Sequence, residues 1–289
     1  MGLFLQFAAP ALAGIFVGVM SGLLGVGGGT IMVPIFRLAF GMSPLASTAT
    51  SLFAIIPTSI SGVASHMRAK TCVPKLGVAL GIGGALTSPV GVWLASVSPG
   101  WLVIVVAALV VGLSAYKMFK KAIKAPRVAL SCRKAHTADA AATGALADSP
   151  EPAVSNPVPA QPDLTRKQYL QGAGIGLVAG LASGYVGVGG GFIMVPMMLA
   201  ILSIPMSLAA GTSLIAIMIL AIPGVIEQAI LGNINYFAGI SIVVGTIPGA
   251  VIGARLVRVI PERQLRFAFG GFLLVAAVLL MLNEFGILG

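Results

Sequence analysis

The sequence predicts an all-α, polytopic membrane protein, and three observations lead there. Of 289 residues, 58% are apolar and only 8% are charged, whereas a soluble domain carries roughly 25% charged and 45–50% apolar residues. Residues 1–36, 76–116, 168–226, 228–254 and 267–283 contain no Asp, Glu, Lys or Arg. One helix crosses ~30 Å of hydrocarbon with ~20 residues, so the longest runs hold more than one crossing. No ~10-residue alternation of apolar and polar positions occurs, which excludes a transmembrane barrel and leaves a helical bundle.

The chain is an internal duplication. At an offset of 162 residues, Ser21–Pro34 lies over Ser183–Pro196 with eleven of fourteen positions identical. Thr50-Ser51-Leu52 then meets Thr212-Ser213-Leu214, and Gly77, Gly83, Gly91 and Pro99 meet Gly239, Gly245, Gly253 and Pro261. The organisation read from this is a membrane repeat over 1–121, a linker over 122–167 and a second membrane repeat over 168–289. The linker is rich in Ala, Pro, Ser and Thr and holds four of the seven acids, Asp139, Asp148, Glu151 and Asp163. It cannot bury enough apolar surface to offset the entropy of ordering, and is expected to be a disordered cytoplasmic segment.

Each repeat reads as a glycine-interrupted segment followed by three ordinary helices, giving eight to ten membrane segments in all. The first set is expected near 4–41, 44–66, 75–96 and 101–120, the second near 169–203, 205–229, 236–257 and 265–284. Ser43-Pro44 supplies an N-cap and a first-turn proline, while Ser98-Pro99-Gly100 and Ile260-Pro261 mark turns. Ala11-Leu12-Ala13 imitates a signal-peptide cleavage site, but no basic region precedes it, so the segment is kept as the first membrane element.

Loop charge sets the orientation. The loop holding Arg68, Lys70 and Lys75 is basic and Ser96–Gly100 is uncharged; in the second half Gly232–Asn235 is uncharged and the next loop holds Arg255, Arg258, Arg263 and Arg266. With basic loops cytoplasmic, equivalent loops lie on opposite sides and the repeats are inverted. Inversion needs an odd number of crossings per half, so the glycine segment must be re-entrant or return to the side it entered. Both termini then lie outside and the linker inside. The formal charge of +10 fits this bias better than nucleic-acid binding, because nine of the 17 basic residues flank or lie in the linker. Cys72 and Cys132 fall beside basic stretches and are read as cytoplasmic, reduced and structural, with no metal-binding spacing.

Inverted repeats with a broken segment at matching positions are the pattern of secondary transporters, whose site lies where the repeats meet. In Gly25-Val26-Gly27-Gly28-Gly29 and Gly187-Val188-Gly189-Gly190-Gly191, four glycines of five remove the side chains that favour helix. Pro34 and Pro196 follow, and new helices are expected to begin near Thr30 and Phe192 with the prolines in their first turns. A helix start pointing free N–H groups at a glycine turn is an anion site. Gly14, Gly18 and Gly22, with Gly176, Gly180 and Gly184, read instead as close-packing ladders. Thr50, Ser51, Thr212 and Ser213 are candidate oxyanion donors, with back-bonding inside the helix as the alternative use of each hydroxyl. His66 and Glu227, at nearly equivalent positions, are candidates for a coupling proton; the alternative is a polar residue at a helix end. Arg37 can attract an anion or extend to a headgroup. The scarcity of acids within the spans favours an anionic or neutral ligand. No dinucleotide or Walker fingerprint is present, and no cofactor, metal site or catalytic residue is expected.

At these residues the chain resembles the sulfite exporter TauE/SafE family, also called the toluene sulfonate uptake permease superfamily. The resemblance rests on the duplicated G-x-G-G-G-x-x-x-V-P segments, Gly25–Pro34 and Gly187–Pro196, and on the T-S-L pairs. It implies an inner-membrane permease for sulfur-containing anions such as sulfite or organosulfonates. The expectation is an alternating-access transporter, proton-coupled, that holds a small anion between the repeats and exposes it to each side as they rock. A passive anion channel, or an integral-membrane enzyme, stands as the alternative. Beyond the lipid bilayer and the anion, the sequence names no partner and no oligomeric state.

Overall fold

The computed structural model describes residues 2–99, 165–186 and 189–284, with helical positions 102, 109, 112–116, 118–120 and 123. Most of the expected linker and half of the helix expected over 101–120 lie outside these residues, as does Cys132. The described chain is helical, with no strand among the described residues. The first half contributes α1 (Gly2–Leu24), α2 (Gly29–Phe40), α3 (Pro44–Arg68) and α4 (Pro74–Val97). The second contributes α5 (Arg166–Val186), α6 (Gly191–Met197, continued by a π turn Met198–Leu202), α7 (Met206–Ile230), α8 (Tyr236–Leu256) and α9 (Glu262–Glu284). Segments Leu45–Arg68, Pro74–Leu94, Met206–Ile230 and Tyr236–Leu256 are each long and apolar enough to cross a membrane.

Local chemistry sets the helix ends. The Ser43 hydroxyl accepts from the Ala46 amide at 3.3 Å, and Pro44, which has no N–H to satisfy, opens α3. Asn235 caps α8 through its side-chain oxygen and the Ala238 amide at 3.1 Å. Pro205 offers α7 no side-chain cap, so Glu262 of α9 takes that part, accepting from the Met206 amide at 3.1 Å while pairing with Arg266 at 2.6 Å. Cys72, in the link between α3 and α4, is buried, and burial pushes its thiol pKa up, which keeps it a thiol.

The glycine ladders join helices of different halves. Gly14, Gly18 and Gly22 of α1 stand so close to the backbone of α8 that a Cβ would strike the carbonyl oxygens of Ile242, Thr246 and Ala250. At the 162-residue offset, Gly176, Gly180 and Gly184 of α5 meet the carbonyls of Leu80, Gly84 and Ser88 on α4 in the same way. Both pairs rise together in residue number, so α1 runs parallel to α8 and α5 parallel to α4. Helix α3 also runs parallel to α8, since Thr58 meets Thr246 at 2.6 Å and Ser61 reaches the Ile247 carbonyl at 3.1 Å. Leu214 packs on Gly62 and Leu52 on Gly224, pairs whose numbers run in opposite order, so α3 and α7, its counterpart at the offset, run in opposite directions. The outward faces carry large apolar side chains such as Leu86, Trp93, Ile230 and Val244, a surface suited to hydrocarbon.

Where helix backbones touch, there is no volume for a side chain. Gly18→Leu or Gly180→Leu is expected to cost about 3 kcal/mol or more and to cut the yield and Tm of the detergent-purified protein. Leu86→Ala, on the outward face, should leave both near wild type; equal Tm for all three variants would refute the close approach.

Candidate functional site

Two chain breaks lie at the centre of this packing. α1 ends at Leu24 and α2 starts at Gly29; α5 ends at Val186 and α6 starts at Gly191. Gly25, Gly27 and Gly28 have φ of 70°, 79° and 80°, and Gly189 and Gly190 have 91° and 65°. These left-handed values cost a non-glycine residue ~1–2 kcal/mol each, which is the local reason for the glycine runs. Gly187 lies outside the described residues.

The new helices begin one residue earlier than expected, because the carbonyls of Gly28 and Gly190 accept from Ile31 and Met32, and from Ile193 and Met194. The prolines therefore fall differently from the expectation. Pro34 and Pro196 are the sixth residues of α2 and α6, in the second turn rather than the first. A proline there gives no amide hydrogen to the carbonyl four residues back, at Thr30 or Phe192.

The turns touch each other. A Cβ on Gly191 would lie 2.7 Å from the Gly25 carbonyl oxygen and 2.8 Å from the Val26 Cα. Ile55 and Ile217, repeat equivalents near the midpoints of α3 and α7, fill the space between: a Cβ on Gly27 would stand 3.0 Å from Ile217, and one on Gly189 3.0 Å from Ile55. The breaks thus sit half-way along the spans, and all of residues 21–30 are buried. Among the described residues nothing accepts from the amides of Gly27, Gly28, Gly29 and Thr30, so α2 presents four bare N–H groups. The second turn is more closed, since the Gly191 amide donates to the Gly189 carbonyl at 2.7 Å.

Three of the four hydroxyl candidates, Thr50, Thr212 and Ser213, join the halves. Thr212 donates to the Leu208 carbonyl at 2.6 Å and accepts from the Val73 amide at 3.0 Å; its equivalent Thr50 accepts from the Asn235 amide at 3.0 Å. Each thus secures the start of a helix from the other half. Ser213 donates to the Gly25 carbonyl at 2.6 Å or to Ala210 at 2.8 Å, so it fastens the first glycine turn directly. Ser51 donates to the Thr48 carbonyl at 2.8 Å. Back-bonding therefore occupies the proton of Thr212.

Sequence reasoning passed over a different set. The hydroxyls of Ser21, Thr30, Ser59 and Ser183 are buried with no hydrogen-bond partner. Ser21 and Ser183 are repeat equivalents and lie beneath the turns: a Cβ on Gly28 would be 3.6 Å from the Ser21 Cβ, and one on Gly190 3.2 Å from that of Ser183. The signal was present, because both serines open the matched fourteen-residue segment.

Residues 10–280 match the family model for the sulfite exporter TauE/SafE. The chain belongs to the TauE/SafE family. Three Bacillus subtilis (strain 168) proteins of similar length are related to it. "Probable membrane transporter protein YunE" is 26% identical over 88% of this chain and 89% of its own. "Probable membrane transporter protein YdhB" is 26% identical over 92% and 96%, and "Probable membrane transporter protein YjnA" is 24% identical over 93% and 98%. No solved structure matches. With its apolar helices, the chain is a multi-pass membrane transporter of the TauE/SafE family acting on a small substrate.

Within this TauE/SafE transporter, His66 bonds the last turn of α1, just before the first glycine turn, and Glu227 does not. His66 is fully buried; its Nε2 lies 2.8 Å from the Gly22 carbonyl and its Nδ1 2.8 Å from the Thr71 hydroxyl. The neutral ring donates from Nε2 and accepts at Nδ1. A protonated ring donates from both, with the Thr71 proton turned to the His66 carbonyl at 3.4 Å, so either state is paired. Gln228 replaces it in the second half and accepts from Asn233 at 2.8 Å. Glu227 is half-buried in the last turn of α7. Arg37 stands in the last turn of α2, eight residues or ~12 Å from Gly29, where it complements the helix dipole and does not face the turn.

The two threonine joints differ in exposure. Thr212→Val strands the buried Val73 amide and is expected to cost ~1–3 kcal/mol, while Thr50→Val frees an amide at exposed Asn235 that water can satisfy. Thermal denaturation in detergent should show the larger Tm loss for Thr212→Val; the reverse order would contradict this assignment.

Proposed function

We propose that this transporter moves a small sulfur-containing oxyanion or organosulfonate, such as sulfite, across the inner membrane by alternating access coupled to protons. The observation that carries the reading is the meeting of two glycine turns at mid-depth, both with unpaired backbone amides. Unsatisfied amides in a bilayer cost several kcal/mol each, so a bound anion that accepts from them is stabilised in proportion.

The two halves are read as inverted repeats. Supporting this, contacts recur at the 162-residue offset while the equivalent helices α3 and α7 point oppositely. Basic loops place the linker in the cytoplasm and both termini outside. The sulfur chemistry is suggested by the family's description as a sulfite exporter, and the negative charge of the substrate by the scarcity of buried acids. His66 is the first choice for the coupling proton, because it stays paired in both states and bonds the residue next to Ser21; Glu227 is the second.

Glycine is required at the left-handed positions for conformation and for approach of the anion. A Cβ from Gly28→Ala meets side-chain atoms of Val17 and Met32 at 3.0 and 3.2 Å, and one from Gly190→Ala meets the Ser183 Cβ at 3.2 Å and the Ala179 carbonyl oxygen at 3.3 Å, so the fold should survive with a loss of ~1–2 kcal/mol. Sulfite flux into proteoliposomes should fall at least tenfold in both. Normal flux in both would remove the turns from the mechanism. Counterflow of preloaded sulfite identifies a carrier, and its absence beside rapid downhill flux identifies a channel.

His66→Gln copies the residue found at 228. It should keep counterflow, which needs no net proton movement, and lose uptake driven by an imposed pH gradient. Gradient-driven uptake equal to wild type would exclude His66 as the coupling group.

A further inference from the structure

The two turns are not chemically equal. Three of the four unpartnered buried hydroxyls, Ser21, Thr30 and Ser59, belong to the first half. At the offset, Thr30 becomes Phe192 and Ser59 becomes Ala221, and only Ser21 keeps a hydroxyl, as Ser183. Thr30 is the second residue of the twelve-residue α2 and is 1% exposed; Ser21, also 1% exposed, lies beneath the cap residue Gly28. Ser59 stands one turn beyond Ile55 on the face of α3 that meets the turns. Among the described residues the bare amides divide less sharply, four at the start of α2 and three, those of Gly189, Gly190 and Phe192, at the second turn, where the Gly191 amide is already bonded to Gly189.

Charge narrows the ligand further. Among the described residues, no Lys, Arg, Asp or Glu is buried. The counter-charge available at the start of α2 is therefore the helix end, equivalent to ~+0.5 of an elementary charge, plus hydroxyl dipoles. One negative charge can be answered by such a set; a second would stand uncompensated at a cost of several kcal/mol.

We infer that the charged group of the substrate lodges at the first glycine turn alone, on the amides of Gly27–Thr30 and the hydroxyls of Ser21 and Thr30, and that the site takes a singly charged oxyanion in preference to a doubly charged one. The second turn, with Phe192 in place of Thr30, packs against the remainder of the ligand. This rests on the transport reading above and adds the position and charge of the anion.

The test uses the full chain in detergent, with methanesulfonate as the singly charged probe and sulfate as the doubly charged one. Removing a buried hydroxyl that bonds nothing relieves the apo protein, so Ser21→Ala and Thr30→Val should match or exceed the wild-type Tm without ligand. Both should weaken methanesulfonate binding, read from the ligand-dependent Tm shift, at least about tenfold, the usual loss for a hydrogen bond to a charged group. Ser183→Ala should weaken it less than either. Sulfate should shift wild-type Tm less than methanesulfonate at equal concentration. Unchanged affinity in Ser21→Ala and Thr30→Val, a greater loss in Ser183→Ala, or equal sulfate binding would overturn the inference while leaving sulfite flux, and so the transport reading, intact. Absence of flux and of any oxyanion-dependent shift in wild type would instead bring down the transport reading and this inference together.

Discussion

A main-chain amide or carbonyl without a partner cannot be left against hydrocarbon. That constraint explains most of what is particular to this chain. Two helices stop in mid-bundle, and the protein answers the break by wrapping it: every residue from Ser21 to Thr30 is buried, and the Gly25 carbonyl takes a proton from Ser213 of the other half. The threonine joints to Val73 and Asn235 hold α4 and α8 in register with the helices around the breaks. What is left unanswered is small and local: amides at the two helix starts and a few hydroxyls.

Much of this was legible in the residues. The charge-free runs announced spans, and the 162-residue repeat announced that contacts would come in pairs. Glycine quartets announced breaks because no other residue type holds φ near +80° cheaply. Ser43-Pro44 gave the start of α3 to the residue. Other features have no local signature. Thr212 looks the same in sequence whether it faces a ligand or the Val73 amide, and only the approach of α4 decides which. The π turn at Met198–Leu202 has no counterpart in α2 and no residue type that marks it. The proline positions were misplaced by one turn because the cap carbonyls belong to Gly28 and Gly190, which a count from Thr30 and Phe192 does not reveal.

Duplication makes departures from symmetry informative. Most equivalent positions keep their chemistry: glycine ladders, T-S-L pairs and the isoleucines between the turns. Against that background His66 facing Gln228, Thr30 facing Phe192 and Ser59 facing Ala221 stand out as changes in polarity at buried places. All three put the more polar or titratable member in the first half, where α2 also keeps its free amides. A solute carried through such a bundle meets unlike surfaces on its two sides, although the scaffold around it is nearly repeated.

The glycine ladders carry a consequence for which parts can travel as units. Helix α1 is seated backbone to backbone on α8, and α5 on α4, so each tight pair draws one helix from either end of the chain. Units tied this closely are woven from both halves and do not coincide with the sequence duplicates. A single copy of the repeat would have needed a second copy to fill these grooves. Fusion of such a pair into one chain fixes their ratio at one to one and frees the two copies to diverge.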